Sequence, residues 1–147
     1  MIQNQRQYNV TKGQVSKLES ALRVSREAKA EMDPRIYAAM ISGIESQIAE
    51  LHRELSAYDE LKEATSFQLR SAEELGEVLI KARVARGYTQ KDLADAIKVK
   101  PQQIQRYEAT GYRSASLKRI GEVIEALRLD LQAEIPLKED RVAVENR

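Results

Sequence analysis

The chain contains no cysteine and no tryptophan. Without thiols there is no disulfide framework and no thiolate metal site. A single histidine, His52, lies between Leu51 and Arg53. With no second His or Cys to share a metal, it reads as a surface residue. Aromatic residues make up 5% of the 147 positions, and there are three Pro and six Gly. That poverty favours long helices over an all-β fold. No apolar run approaches the roughly 20 residues that span a membrane. The opening stretch MIQNQRQYNV lacks the apolar core of a secretory signal. A soluble cytoplasmic protein is expected. There is also no phosphate-cradling Gly-rich loop, so nothing supplies a nucleophile, a base or a metal. The expectation is a non-enzyme with no cofactor and no metal.

What is present is charge, unevenly placed. The net charge is +1. From Lys81 to Arg119, however, ten basic residues face three acids, Asp92, Asp95 and Glu108, for a local +7. The first 70 residues carry ten of each sign. A concentrated basic segment inside a near-neutral chain points to a polyanion-binding surface.

The N-terminal half reads as a helical hairpin over residues 1–62. Thr11 and Gln14 form a capping-box pattern, flanked by Val10 and Val15 as a hydrophobic staple, so the first helix is expected to start at Thr11. Its apolar line, Val15, Leu18 and Leu22, fades at Ser25. Met32-Asp33-Pro34 ends it and opens a second helix, with Asp33 at N-cap and Pro34 at N1. On that helix Tyr37, Ile41, Ile44, Ile48, Leu51, Leu55 and Tyr58 repeat at alternating steps of four and three. That is a coiled-coil-like heptad seam. One shorter helix with a weak apolar line leaves much of this seam uncovered. The seam is expected to pair with its copy in a homodimer; the alternative is a hairpin folded onto the C-terminal half of its own chain.

Residues 63–72 read as a linker. Ser71 and Glu74 form a capping-box pattern for a helix carrying Leu75, Val78, Leu79, Ala82 and Val84, which Gly87 ends in a left-handed cap. Thr89 caps the next helix, with Leu93, Ala94 and Ile97 inward. Lys98-Val99-Lys100 is a turn with Val99 as its buried plug, and Pro101 opens a third helix at N1. There Ile104 and Tyr107 face the core while Gln102, Gln105 and Arg106 lie opposite, with Gln103 at their edge. Gln bonds adenine bidentately and Arg bonds guanine, so this face suits base edges in a DNA major groove. Ser114 is expected to cap a fourth helix through Leu117, Ile120, Val123, Ile124 and Leu127.

The run ARGYTQKDLADAIKVKPQQIQRYEAT resembles the Cro/cI-type (XRE) helix-turn-helix family over about residues 74–127. The resemblance implies a five-helix-type DNA-binding domain, here residues 73–127. It places base contacts on Pro101, Gln102, Gln105 and Arg106, and a phosphate contact on Gln90. Phosphate contacts are also expected at Lys100, Gln103 and Arg113. It also implies a structural, partly buried ion pair between Arg83 and Glu108. Two residues depart from the family pattern. Lys98 stands where Gly is common, and Pro101 stands where many relatives place a polar contact residue.

Leu127, Leu129, Leu131, Ala133 and Ile135 alternate with polar residues at period two, so residues 128–137 read as a short β-strand. Its partner is either Gln7–Val10 or the same strand of a second subunit. Residues 138–147 read as a disordered tail. The fold class expected is mainly α: a long helical hairpin, then a helix-turn-helix domain with a C-terminal strand. The function expected is a homodimeric, sequence-specific repressor on double-stranded DNA, associated with the nucleoid and not with a membrane. The alternative is a Hig-type antitoxin whose partner is a toxin protein.

Overall fold

Two helix lengths divide the molecule. A computed structural model describes residues 1–137. Two long helices come first, α1 (Gln5–Glu27) and α2 (Pro34–Glu63). Four short ones follow: α3 (Leu75–Ala85), α4 (Gln90–Ala96), α5 (Pro101–Ala109) and α6 (Leu117–Ala126).

The long pair forms an antiparallel hairpin. Its register shows in the bonds across it. Tyr8 Oη donates to Asp59 Oδ2 at 3.1 Å, and Arg26 Nη2 donates to Glu45 Oε1 at 2.8 Å. His52, exposed, lies 3.7 Å from Glu19 between them. The α2 start is as the sequence predicts: the Asp33 carboxylate accepts from the Arg35 and Ile36 N–H groups, with Pro34 in the first turn. The α1 start is not. The helix begins six residues before Thr11, where the Asn4 side chain accepts from the Gln7 N–H at 2.9 Å. Thr11 is a buried interior residue, and Val10 is exposed rather than stapled. Gln7–Val10 is helical and cannot serve as a strand.

The hairpin is buried only at its base. Ile2, Val15, Leu55 and Tyr58 form a small core with Val84 of α3, joined by the partly buried Tyr8, Leu51 and Leu61. The Tyr8 and Tyr58 rings lie 5.0 Å apart. Leu55 and Tyr58 are therefore taken by the chain's own core and are not open to a second subunit, a correction to the expected seam. Tyr37, Ile41, Ile44, Ile48 and Leu51 remain half-buried. Each fully buried side chain of this kind contributes about 1.5–3 kcal/mol. The docking of the base onto α3 is thus a real fixture, although it occupies one end of α2.

The short helices close around a second core of Leu79, Ala82, Leu93, Ala94, Ile104, Tyr107, Tyr112, Val123 and Leu127. Four of their ends share one device. Past α3, α4, α5 and α6, the residues Gly87, Lys98, Gly111 and Arg128 have φ between 51° and 74°. The N–H that follows each reaches back five residues. Tyr88 donates to the Arg83 carbonyl, Val99 to Ala94, Tyr112 to Tyr107 and Leu129 to Ile124, all between 2.7 and 3.0 Å. This is the Schellman geometry, which satisfies a carbonyl left over at the helix end. Each donor residue is apolar or aromatic, and each packs on the core. Lys98 does take the strained left-handed conformation that Gly would take freely.

Other expectations are corrected. The Ser71–Glu74 capping box does not form, because a short 3-10 turn, Ala72–Glu74, precedes α3 and shifts the register. The Glu74 carboxylate accepts from the Arg70 N–H at 2.9 Å instead. A backbone N–H first, and the Ser71 hydroxyl second, hold the Glu73 carboxyl below its usual range. Ser116, not Ser114, caps α6 by accepting from the Arg119 N–H. The Ser114 hydroxyl hydrogen-bonds Thr110 Oγ1 at 2.9 Å. Leu117, now in the first turn of α6, is 85% exposed rather than inward. Val84 faces the hairpin, not the helix-turn-helix core. After residue 73 the described residues hold four α-helices, not five.

The expected C-terminal strand is absent. Residues 129–137 have no helix, turn, bend or ladder. The physical reason is the lack of a partner: period two marks residues that could pair, but Gln7–Val10 is helical and no other strand exists among the described residues. The expected disordered tail, residues 138–147, lies outside the described residues. No helix among the described residues is long and apolar enough to cross a membrane.

Candidate nucleic-acid interface

The site is built on α4, the Lys98–Lys100 turn and α5. Thr89 fixes the start of α4 through a reciprocal cap. Its hydroxyl accepts from the Asp92 N–H, and the Asp92 carboxylate accepts from the Thr89 N–H at 2.8 Å and hydroxyl at 2.6 Å. Those bonds hold the Asp92 carboxyl below its ordinary value, the hydroxyl contributing most. Small Ala94, fully buried, permits the close crossing of α4 and α5. Val99 packs into the core beneath the turn, and Pro101 opens α5 with its fixed φ.

Ile104 and Tyr107 anchor α5 inward. Gln102, Gln105 and Arg106 are exposed, and their side chains make no hydrogen bond or ion pair among the described residues. Pro101 and Gln103 are half-buried beside them, and Lys100 and Arg113 are exposed at the two ends of the helix. Four of the ten basic residues from Lys81 to Arg119 are committed within the fold. Lys81 pairs with Glu77 and Arg119 with Glu122, while Arg83 pairs with Glu108. Arg86 donates to the Leu127 and Arg128 carbonyls at the end of α6. Lys91, Lys98, Lys100, Arg106, Arg113 and Lys118 form no ion pair within 4 Å among the described residues. Five of these six flank α4 and α5, so the unspent positive charge gathers around the exposed Gln/Arg face.

Below that face lies a buried polar node. Arg83 Nε and Nη2 donate to the Glu108 carboxylate at 2.5 and 2.9 Å, and Arg83 Nη1 donates to the Tyr88 carbonyl at 2.7 Å. The two side chains are 1% and 4% exposed. Gln90 Nε2 donates to the same carboxylate at 2.7 Å. The Gln90 amide thus points inward at Glu108, which sequence reasoning did not foresee. The node ties α3, the start of α4 and the end of α5 together, and it sets the angle at which α5 presents its outer face.

Sequence reasoning also missed Tyr112. It is buried, has φ 61°, stacks with Tyr107 at 6.0 Å, and its hydroxyl has no hydrogen-bond partner among the described residues. Burial, helped by Glu108, pushes that hydroxyl well above its ordinary value. Gly76 was missed as well: a Cβ there would collide with the Gly111 carbonyl. The sign available in the sequence was a glycine inside a helical run.

A family model described as Helix-turn-helix matches residues 79–133. No curated protein and no solved structure matches the chain. The matched span takes in most of α3, then α4, α5 and α6 whole, with the turn and the exposed Gln/Arg face between them. Residues 79–133 are accordingly a helix-turn-helix domain of the Cro/cI (XRE) family, the kind carried by DNA-binding transcription regulators.

Proposed function

We propose that the protein is a homodimeric repressor that reads a palindromic DNA operator. The observation that carries this is the face of α5. Gln102, Gln105 and Arg106 stand exposed and uncommitted within a segment of unbalanced positive charge. In this reading Pro101, Gln102, Gln105 and Arg106 meet base edges, and Lys100, Gln103 and Arg113 meet phosphates. Gln90 reaches a phosphate only through what its bond to Glu108 leaves free. The homodimer draws on the half-buried run Tyr37, Ile41, Ile44, Ile48 and Leu51, which α1 covers in part. Two copies joined there would set two α5 helices into successive major grooves, about 34 Å apart.

The test is fluorescence anisotropy against a randomised duplex pool followed by single-site scans. Arg106→Ala should cost about 1–3 kcal/mol at one base step and relax specificity there. Lys100→Ala should weaken all sequences alike and lower the salt dependence. Equal affinity of the wild type for all duplexes would end the operator reading.

A second reading draws on the hairpin's far end. Val24 and Ile36 are more than half exposed there, so that end suits a protein partner. The chain would then be the antitoxin of a toxin–antitoxin pair. Co-purification of a small toxin encoded beside the gene is the expected result, and its absence in cells expressing both would count against this reading.

A further inference from the structure

A groove of about 720 Å³ runs between the linker, α3 and the chain leaving α6. Its apolar walls include Phe67, Leu69, Leu75, Val78, Ile124 and Leu129. It is flanked by two stretches of irregular backbone, residues 65–70 on one side and 129–131 on the other. Within the described residues, no N–H or C=O of residues 65–69 or 130–137 joins a backbone–backbone hydrogen bond. An apolar slot beside unpaired backbone is what an added peptide strand requires: pockets for alternate side chains and a backbone to pair with.

The same chain carries a segment that fits. Leu131, Ala133, Ile135 and Leu137 alternate with Gln132 and Glu134, and Ile135 and Leu137 are 83% and 93% exposed. The arm from Gln132 to Leu137 would span about 20 Å in an extended form. The linker from Thr65 to Arg70 would span about 20 Å, a comparable length. Charge agrees too. Glu134 on the arm is acidic, while the groove is lined by Lys62, Arg86 and Arg128 against one acid, Asp130. The arm does not enter its own groove beyond Leu131. Its later apolar residues leave the groove and meet solvent.

We infer that the arm of one copy, Gln132 to Leu137, docks in the groove of a second copy between its linker and α3. This rests on the homodimer reading above and adds a second, reciprocal contact to it. It also gives the period-two pattern a partner other than its own duplicate: the arm pairs with a groove. Pro136, which lacks an N–H, is tolerated at the end of such an added strand.

The absence of cysteine makes the contact measurable. Ser66→Cys protein is mixed with Ala133→Cys protein and mildly oxidised, and the wild-type mass is taken by analytical ultracentrifugation. A covalent dimer containing one of each chain is expected, with none from Ser66→Cys protein oxidised by itself. Adding Ile135→Asp to the arm should cut the yield about tenfold, since an isoleucine's burial is lost. Two results would overturn the inference. One is a Ser66→Cys/Ala133→Cys chain that links internally and stays monomeric, which would mean the arm fills its own groove. The other is the absence of mixed covalent dimer while the wild type sediments as a dimer, which leaves the homodimer standing without the exchange. A wild type that is monomeric at every concentration removes the homodimer reading itself, and the inference with it.

Discussion

The hairpin and the helix-turn-helix domain are both helical, yet they are held in opposite ways. The hairpin is two long rods docked onto the rest of the chain at one end, with its buried residues, among those described, confined to Ile2, Thr11, Val15, Leu55 and Tyr58. The domain is four helices of seven to eleven residues, each too short to persist in water by itself. It compensates at the helix ends, where every Schellman turn sends its next residue into the core. In the hairpin, stability comes from length and one docking point. In the domain the turns are themselves core.

That difference is open to attack, beginning with the largest effect. Arg83→Ala leaves the Glu108 carboxylate buried with only Gln90 for company, so unfolding by urea should show a loss of about 3–5 kcal/mol. The loss should appear in the α3–α6 domain, with hairpin helicity surviving to higher urea. If the hairpin melted in step, the two regions would be one cooperative unit and the contrast would be false.

Gly76→Ala comes next. Its methyl meets backbone, the Gly111 carbonyl, which cannot swing aside as a side chain could. A cost of about 1–3 kcal/mol is expected in thermal denaturation. A neutral result would mean that the α5–α6 turn is softer than its bonds imply.

Tyr112→Phe sharpens the comparison from the stabilising side. Removing a buried hydroxyl without a partner should gain about 1 kcal/mol. The pH dependence has a definite sign. The folded-state value is raised, so the unfolded chain ionises first, and stability falls as pH climbs past the ordinary value of 10.0. The phenylalanine variant should lose that alkaline slope. Asp92 acts at the other end. Its folded value is lowered, so its contribution is present at neutral pH and is lost as pH falls below the ordinary 3.8.

Lys98→Gly relieves a left-handed residue and should stabilise by about 0.5–1 kcal/mol. The same change at Arg128 should act in the same direction. Smallest of all, Val24→Ala on the hairpin's far end should stay within about 0.5 kcal/mol of wild type. A larger loss there, measured in dilute monomer, would show burial the hairpin does not display.

Legibility followed locality. Asp33-Pro34, the Thr89 cap, Gly87, the Lys98 turn and Pro101 are readable because each signal spans four residues or fewer. The α1 start was hidden by a decoy. Thr11-x-x-Gln14 imitates a capping box, while the true cap, Asn4, opens a polar stretch in which a buried Thr11 stands where an apolar residue would have shown the period. Ser114 and Ser116 lie two apart, and only packing decides which one caps. The C-terminal alternation predicts a strand because periodicity reports what a segment can do, not whether a partner is present. The exposed face of α5 was legible from helical geometry. The inward turn of the Gln90 amide was not, because it depends on a carboxylate 18 positions away.

Val84 and Arg83 are neighbours on α3 that hold different things. Arg83 grips Glu108 on α5, while Val84 sits in the core at the hairpin's base. In mechanical terms α3 is a shared axle: two consecutive residues join it to the rods on one side and to α5 on the other. In the proposed DNA-bound state, substitutions packed around Val84 would then retune the pitch of α5 while leaving Gln102, Gln105 and Arg106 unchanged.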